Sequence, residues 1–90
     1  MTTPVVAKLE FSYRDSDFRV YSANTGFGLP THSHLVDHVT FCLAGSCRVT
    51  VGGKTFVLTD DSRPVVLPAN IPHEIEALED GTVFINILPS

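Results

Sequence analysis

Three of the chain's four histidines stand at His32, His34 and His38, and the fourth, His73, follows the segment Pro68-Ala69-Asn70-Ile71-Pro72. No other feature restricts the fold as much. His32 and His34 are two apart, and on a strand residues i and i+2 point to the same face. His38 keeps that parity if the chain stays extended, or opens a new strand if Leu35-Val36-Asp37 bends. His73 heads an alternating run, with Ile75 and Ala77 on its own face and Glu74 and Glu76 on the other. The imidazole is therefore expected inside and the two carboxylates in water. A lone histidine on an apolar face is more often a hydrogen-bonded core residue than a ligand. Four inward imidazoles would be costly as unpaired groups, and one transition-metal ion satisfies them together.

The rest of the chain reads as strands. Pro and Gly recur throughout, separated by short runs rich in Val, Ile, Phe, Thr and Tyr, the pattern of an all-β domain. Strands are expected at Val5–Phe11, Phe18–Ser22, His38–Ala44, Ser46–Val51, Lys54–Thr59, Pro64–Pro68, His73–Leu78 and Thr82–Leu88, with a short extended piece at His32–Leu35. Turns are expected at Tyr13–Asp17, Asp60–Arg63, Ala69–Pro72 and Asp80-Gly81, and a loop at Asn24–Pro30. Gly52-Gly53 is a two-residue hairpin signal. About eight or nine strands at this spacing predict a sandwich or barrel.

Ninety residues make one domain, 1–90. The net charge is −4 and the six Lys and Arg residues are scattered, so no basic patch is offered to nucleic acid or an anionic membrane. No apolar run approaches the roughly 20 residues of a spanning helix. The N-terminus lacks a basic start before an apolar stretch, so we expect no signal peptide and a cytoplasmic location. We also expect no attached DNA-binding helix.

Two motifs carry a family resemblance. Gly26, five residues, His32-Ser33-His34, three residues, His38, six residues and Gly45 form the first, over residues 26–45. The second spans about residues 62–77 and contains Pro68-Ala69-Asn70-Ile71-Pro72-His73. Both resemble the motifs of the cupins, small jelly-roll barrels also described as double-stranded β-helices. His38 stands where most cupins carry a glutamate ligand, Asn70 where a turn glycine is usual, Ser62 where the second motif opens with glycine, and Ala77 where asparagine is usual. The resemblance implies a mononuclear metal site in the barrel mouth, held by His32, His34, His38 and His73 in a four-histidine variant. Imidazole ligands favour iron, manganese, nickel, copper or zinc over calcium or magnesium.

The site predicts either a metal-dependent enzyme of small substrates, such as a dioxygenase or an isomerase, or a module that captures a small ligand or a metal. A closed structural zinc site is the third reading. No general base is identifiable. If Ala44-Gly45 forms a hairpin loop, Cys42 lies opposite Cys47, close to disulfide distance; two buried thiols are the plainer expectation in a cytoplasmic chain. Cys42 lies about 13 Å along the strand from His38, too far to share its ion. Val39, Phe41 and Leu43 point away from the histidine face, so a homodimer is expected to cover them. Phe27, Phe56, Phe84, Val49 and Ile75 are candidates for an apolar lining and Asn86 for a polar group at its edge. Tyr13, Tyr21 and Arg19 are placed at the mouth or on the outer surface. Asp37 is expected as a solvated carboxylate beside His38.

Overall fold

The computed structural model describes residues 2–89, which are all strand, turn and irregular backbone. The strands are β1 Thr3–Pro4, β2 Leu9–Tyr13, β3 Ser16–Ala23, β4 Phe27–His32, β5 His38–Ala44, β6 Cys47–Val51, β7 Lys54–Leu58, β8 Val65–Leu67, β9 His73–Ala77 and β10 Thr82–Pro89. They form two five-stranded sheets, ordered β1-β4-β9-β6-β7 and β2-β3-β10-β5-β8. The chain crosses repeatedly from one sheet to the other, and the core lies between them. Cys47, Val49, Ile75 and Ala77 of the first sheet meet Tyr21, Cys42, Leu67 and Phe84 of the second there.

Alternation produces this layering. In β10, Thr82, Phe84, Asn86 and Leu88 are buried, while Val83, Ile85 and Ile87 face outward. In β9, His73, Ile75 and Ala77 are buried, and Glu76 turns outward to pair with Arg48 at 2.9 Å. The β6–β7 hairpin turns through Gly52 (φ 55°) and Gly53 (φ 80°). Two successive positive φ values are what a type I′ turn needs.

Three segments differ from the sequence reading. Val5–Phe11 is not one strand: residues 5–8 are irregular backbone joining β1, which pairs with β4 in one sheet, to β2, which begins at Leu9 and pairs with β3 in the other. The turn at Tyr13–Asp17 shrinks to Arg14 and Asp15, closed by a Ser12–Asp17 hydrogen bond of 2.7 Å. Most of the Asn24–Pro30 loop is strand β4. Its Gly28 lies against β9 so closely that a Cβ there would collide with the Ile75 carbonyl oxygen. Pro30 is accommodated where the β4–β9 register slips between Leu29 and His32. Gly28→Ala is expected to destabilise the protein by about 1–3 kcal/mol or more, since backbone must move; an unchanged melting temperature would refute the close approach.

β5 and β6 do not form a hairpin. β5 pairs with β10 and β8, and β6 with β7 and β9, so Gly45 sits in a crossing between sheets. Cys42 and Cys47 are both buried free thiols. Burial pushes Cys47 up to about 12, and its neighbour Cys42 adds to the rise. Both are core residues.

Two surface features matter later. The outer face of the second sheet presents Phe11, Phe18, Val20, Ile85, Phe41 and Val66, with no charged side chain at the outward positions of its three central strands. Between edge strands β7 and β8 an apolar gap of about 540 Å³ opens, lined by Phe56, Val65, Pro68 and Ile71 among others.

Candidate metal centre

Elements of both sheets deliver the four histidines to one place. His32 ends β4, and its Cα partner across the ladder is His73, the first residue of β9. His38 opens β5 in the other sheet. His34 lies in the connection between β4 and β5. His32, His34 and His73 offer ligand atoms that all lie within 4.8 Å of one another, a spacing able to hold a metal ion. Ring centroids are 4.8 Å apart for His32–His34, 4.6 Å for His34–His38, 5.0 Å for His38–His73, 4.4 Å for His73–His32 and 5.3 Å for His34–His73. The group whose ligand atoms lie within 4.8 Å does not include His38, whose ring packs instead against His34 and His73.

The backbone orients two of the rings. His32 Nδ1 donates to the Pro30 carbonyl at 2.6 Å, and His73 Nδ1 donates to the Ile71 carbonyl at 3.1 Å. Both acceptors are two residues upstream, so each ring is folded back on its own strand entry. Holding the proton on Nδ1 leaves Nε2 as a lone pair. These two Nε2 atoms face each other at 3.2 Å. With both protons held on Nδ1, no hydrogen remains to bridge them.

His38 is 3% exposed, and neither Nδ1 nor Nε2 makes a hydrogen bond of good geometry, although the Val36 backbone lies near enough to oppose slightly the fall in its pKa. Burial, reinforced by the His34, His73 and His32 imidazoles, lowers its pKa to about 4. Burial also lowers His34 and His73, and for His34 the His32 ring and the Arg19 guanidinium act in the same direction. The unfolded chain therefore takes up protons below the ordinary 6.5 that the folded chain refuses. Without metal, stability should fall as pH drops from about 6.5 towards 4, by up to about 1.4 kcal/mol per unit from His38 alone. His34 and His73 add with the same sign. A flat melting temperature over that window in chelator-treated protein would contradict this.

Hydrogen bonds between loops fix the two motifs to each other. Asp37 Oδ1 accepts from the Ala69 amide at 2.7 Å, and the Asn70 amide donates to the His34 carbonyl at 2.7 Å. Asp37 is thus not merely a solvated carboxylate: it ties the His34–His38 connection to the loop leading into His73. Nothing local in the sequence signals this, because the contact joins residues 32 apart. Asn70 has φ 64°, the left-handed turn its type suggests. Of the expected apolar lining, Phe84, Val49 and Ile75 are fully buried, Phe56 borders the gap beside β8, and Phe27 is exposed. Tyr21 is buried and stacked on Phe84 at 5.0 Å, whereas Tyr13 lies outside.

Neither a family model nor a curated protein matches the sequence. Solved structures do match the fold. A cupin protein from Bacteroides fragilis superposes with a TM-score of 0.77 at 20% identity, over 100% of this chain and 81% of its own. A cupin-2 domain protein from Shewanella frigidimarina gives 0.74 at 16%, over 93% of this chain and 82% of its own. The fold is that of the cupins. A cupin 2 conserved barrel domain protein from Leptotrichia buccalis gives 0.78 at 28% identity, over 91% of this chain but only 39% of its own. These likenesses concern the cupin barrel itself and leave its chemistry to be argued from the side chains. Among the described residues, no helix is long and apolar enough to cross a membrane.

Proposed function

We propose that His32, His34, His38 and His73 hold one divalent transition-metal ion inside this cupin barrel, and that the protein is a metal-dependent enzyme acting on a small molecule beside it. The observation that carries the reading is His38: a buried ring facing two other imidazoles, with both nitrogens unpartnered. Buried polar atoms without partners are uncommon. The opposed Nε2 atoms of His32 and His73 support it as well, since 3.2 Å is about the separation of two nitrogens each roughly 2.0–2.1 Å from one ion. The donor set suits iron, manganese, nickel, copper or zinc.

Four protein ligands on an octahedral ion would leave positions for a small molecule, whereas a tetrahedral zinc would be filled by them. When bound, the ion supplies a Lewis acid or a centre for dioxygen chemistry with a carbonyl or enolisable substrate. The chain's own contribution is to orient the imidazoles through backbone carbonyls and to keep them in an apolar interior. The glutamate usual at position 38 is replaced, so no protein carboxylate joins the ligand set to accept a proton. The test is metal analysis of protein purified without a histidine tag or added nickel, followed by dioxygen-uptake and isomerase assays. About one equivalent of a transition metal is expected. Occupancy far below one, with no rescue by added ions, overturns the reading.

We further propose that the protein works as a homodimer through the outer face of the second sheet. A two-fold axis sets a sheet face against itself, and this face carries no charge at its central outward positions that such pairing would strand. Light scattering after size exclusion should give twice the chain mass, and Phe41→Glu should give the monomer. A wild-type monomer at micromolar concentration would refute it.

A further inference from the structure

Inside the barrel, beside the strand that carries His38, lies a polar group that the metal reading does not use. Asn86 is 3% exposed, its Oδ1 has no partner, and it is inward-facing on β10. Its ladder neighbours are Arg19 on β3 and Thr40 on β5. Thr40 is the next inward position along β5 from His38, and its hydroxyl already donates to the Ile85 carbonyl at 3.2 Å. It leaves Asn86 unserved.

Among the described residues, Arg19 is the one cation on these inward positions. It meets Glu10 in an ion pair of 3.6 Å, with side chains 38% and 65% exposed. Exposed pairs of that kind hold weakly, and a guanidinium has five N–H donors to offer. Arg19 also borders a solvent-open pocket of about 230 Å³ along β2 and β3, with Glu10, Phe11, Ser12, Asp17 and Phe18, so its guanidinium is reachable from outside. Tyr21 is the next inward residue of β3, and its phenol, raised by burial, is drawn back down by the nearby Arg19. Arg19 is therefore the cross-strand neighbour of Asn86 and shares its face of β3 with Tyr21.

We propose that Arg19, Tyr21 and Asn86 form the recognition site of this protein's substrate, and that the substrate is a small hydroxylated carboxylic acid. The inference rests on the reading of the barrel interior as a small-molecule site. The carboxylate accepts N–H bonds from Arg19, in the planar fork that a guanidinium offers, and the O–H of Tyr21. A hydroxyl on the same molecule donates to Asn86 Oδ1. A hydroxyl also accepts, so it satisfies the amide in either orientation. Displacing Glu10 costs little because that pair is exposed.

The test is calorimetry and amide NMR with glycerate, propionate and glyceramide, on metal-free and metal-loaded protein. Glycerate is expected to bind about tenfold more tightly than either analogue, because each lacks one of the two groups the site addresses. Arg19→Gln should remove the advantage over glyceramide, and Asn86→Leu the advantage over propionate, with the melting temperature of each variant recorded. Binding to the metal-free protein that depends on Arg19 supports the site even if metal analysis fails. Equal glycerate affinity in wild type and Arg19→Gln overturns the proposal, as does absence of binding at millimolar concentration to both forms. Binding only with metal, and insensitive to Asn86→Leu, places the acid on the ion alone and also overturns it.

Discussion

Addition of its cognate ion to the metal-free chain is expected to raise the melting temperature by roughly 15–30 °C. The estimate follows from mass action. A ligand present at 1,000 times its dissociation constant stabilises the folded state by about 4.1 kcal/mol, and a domain of this length gains about 4–8 °C per kcal/mol. The ion is expected to bind the folded chain far better than the unfolded one, because His32 and His73 meet across a ladder although they are 41 residues apart. His73→Ala should abolish the shift. That ring is 1% exposed and is held by the Ile71 carbonyl, so no other side chain replaces it. Each protein is compared with and without metal, which removes the variant's own baseline. A shift that survives in His73→Ala would place the ion elsewhere.

The second large effect reverses sign with metal. His38→Leu is expected to stabilise the metal-free protein by about 1–3 kcal/mol, because it removes two buried nitrogens that have no partner. It should also flatten part of the acid-side loss of stability, since the group lowered to about 4 is gone. With metal present, the order inverts: the wild type gains the binding energy and the variant, short of one ligand, gains much less. Melting curves of both proteins with and without metal give four temperatures that decide the matter. If His38→Leu is less stable in both conditions, His38 is a packing residue and not a ligand.

Much of the site was legible because period-two alternation is local. His73, Ile75 and Ala77 fall on one face whatever the rest of the chain does, and they are buried as their pattern predicts. β5 spans the expected His38–Ala44, and the Gly52-Gly53 and Asn70 turns need only the φ preferences of those residues. The errors came where a residue's role is set by a distant partner. Gly28 and Pro30 read as loop residues, yet Gly28 is needed for the approach of β9 and Pro30 sits in a register slip. Gly45 read as a hairpin glycine, yet the chain there leaves one sheet for the other, and a crossing and a hairpin look alike in seven residues. Asp37 read as a surface carboxylate because its acceptor role depends on the Ala69 amide. Arg19 carried no signal of its own: its parity is visible, but whether that parity means inside or outside depends on β10 lying beside it.

The crossing of the chain between sheets has a kinetic consequence. His32 and His73 belong to one sheet and His38 to the other, so no single hairpin or sheet contains all four histidines. The four rings converge only after the sheets have docked, which is among the last events in assembling a structure built from distant pairings. Such β topologies fold in about milliseconds to seconds. Metal uptake during refolding should therefore track the formation of the complete barrel, and the proposed ion would act as a latch on a finished fold instead of a nucleus for it.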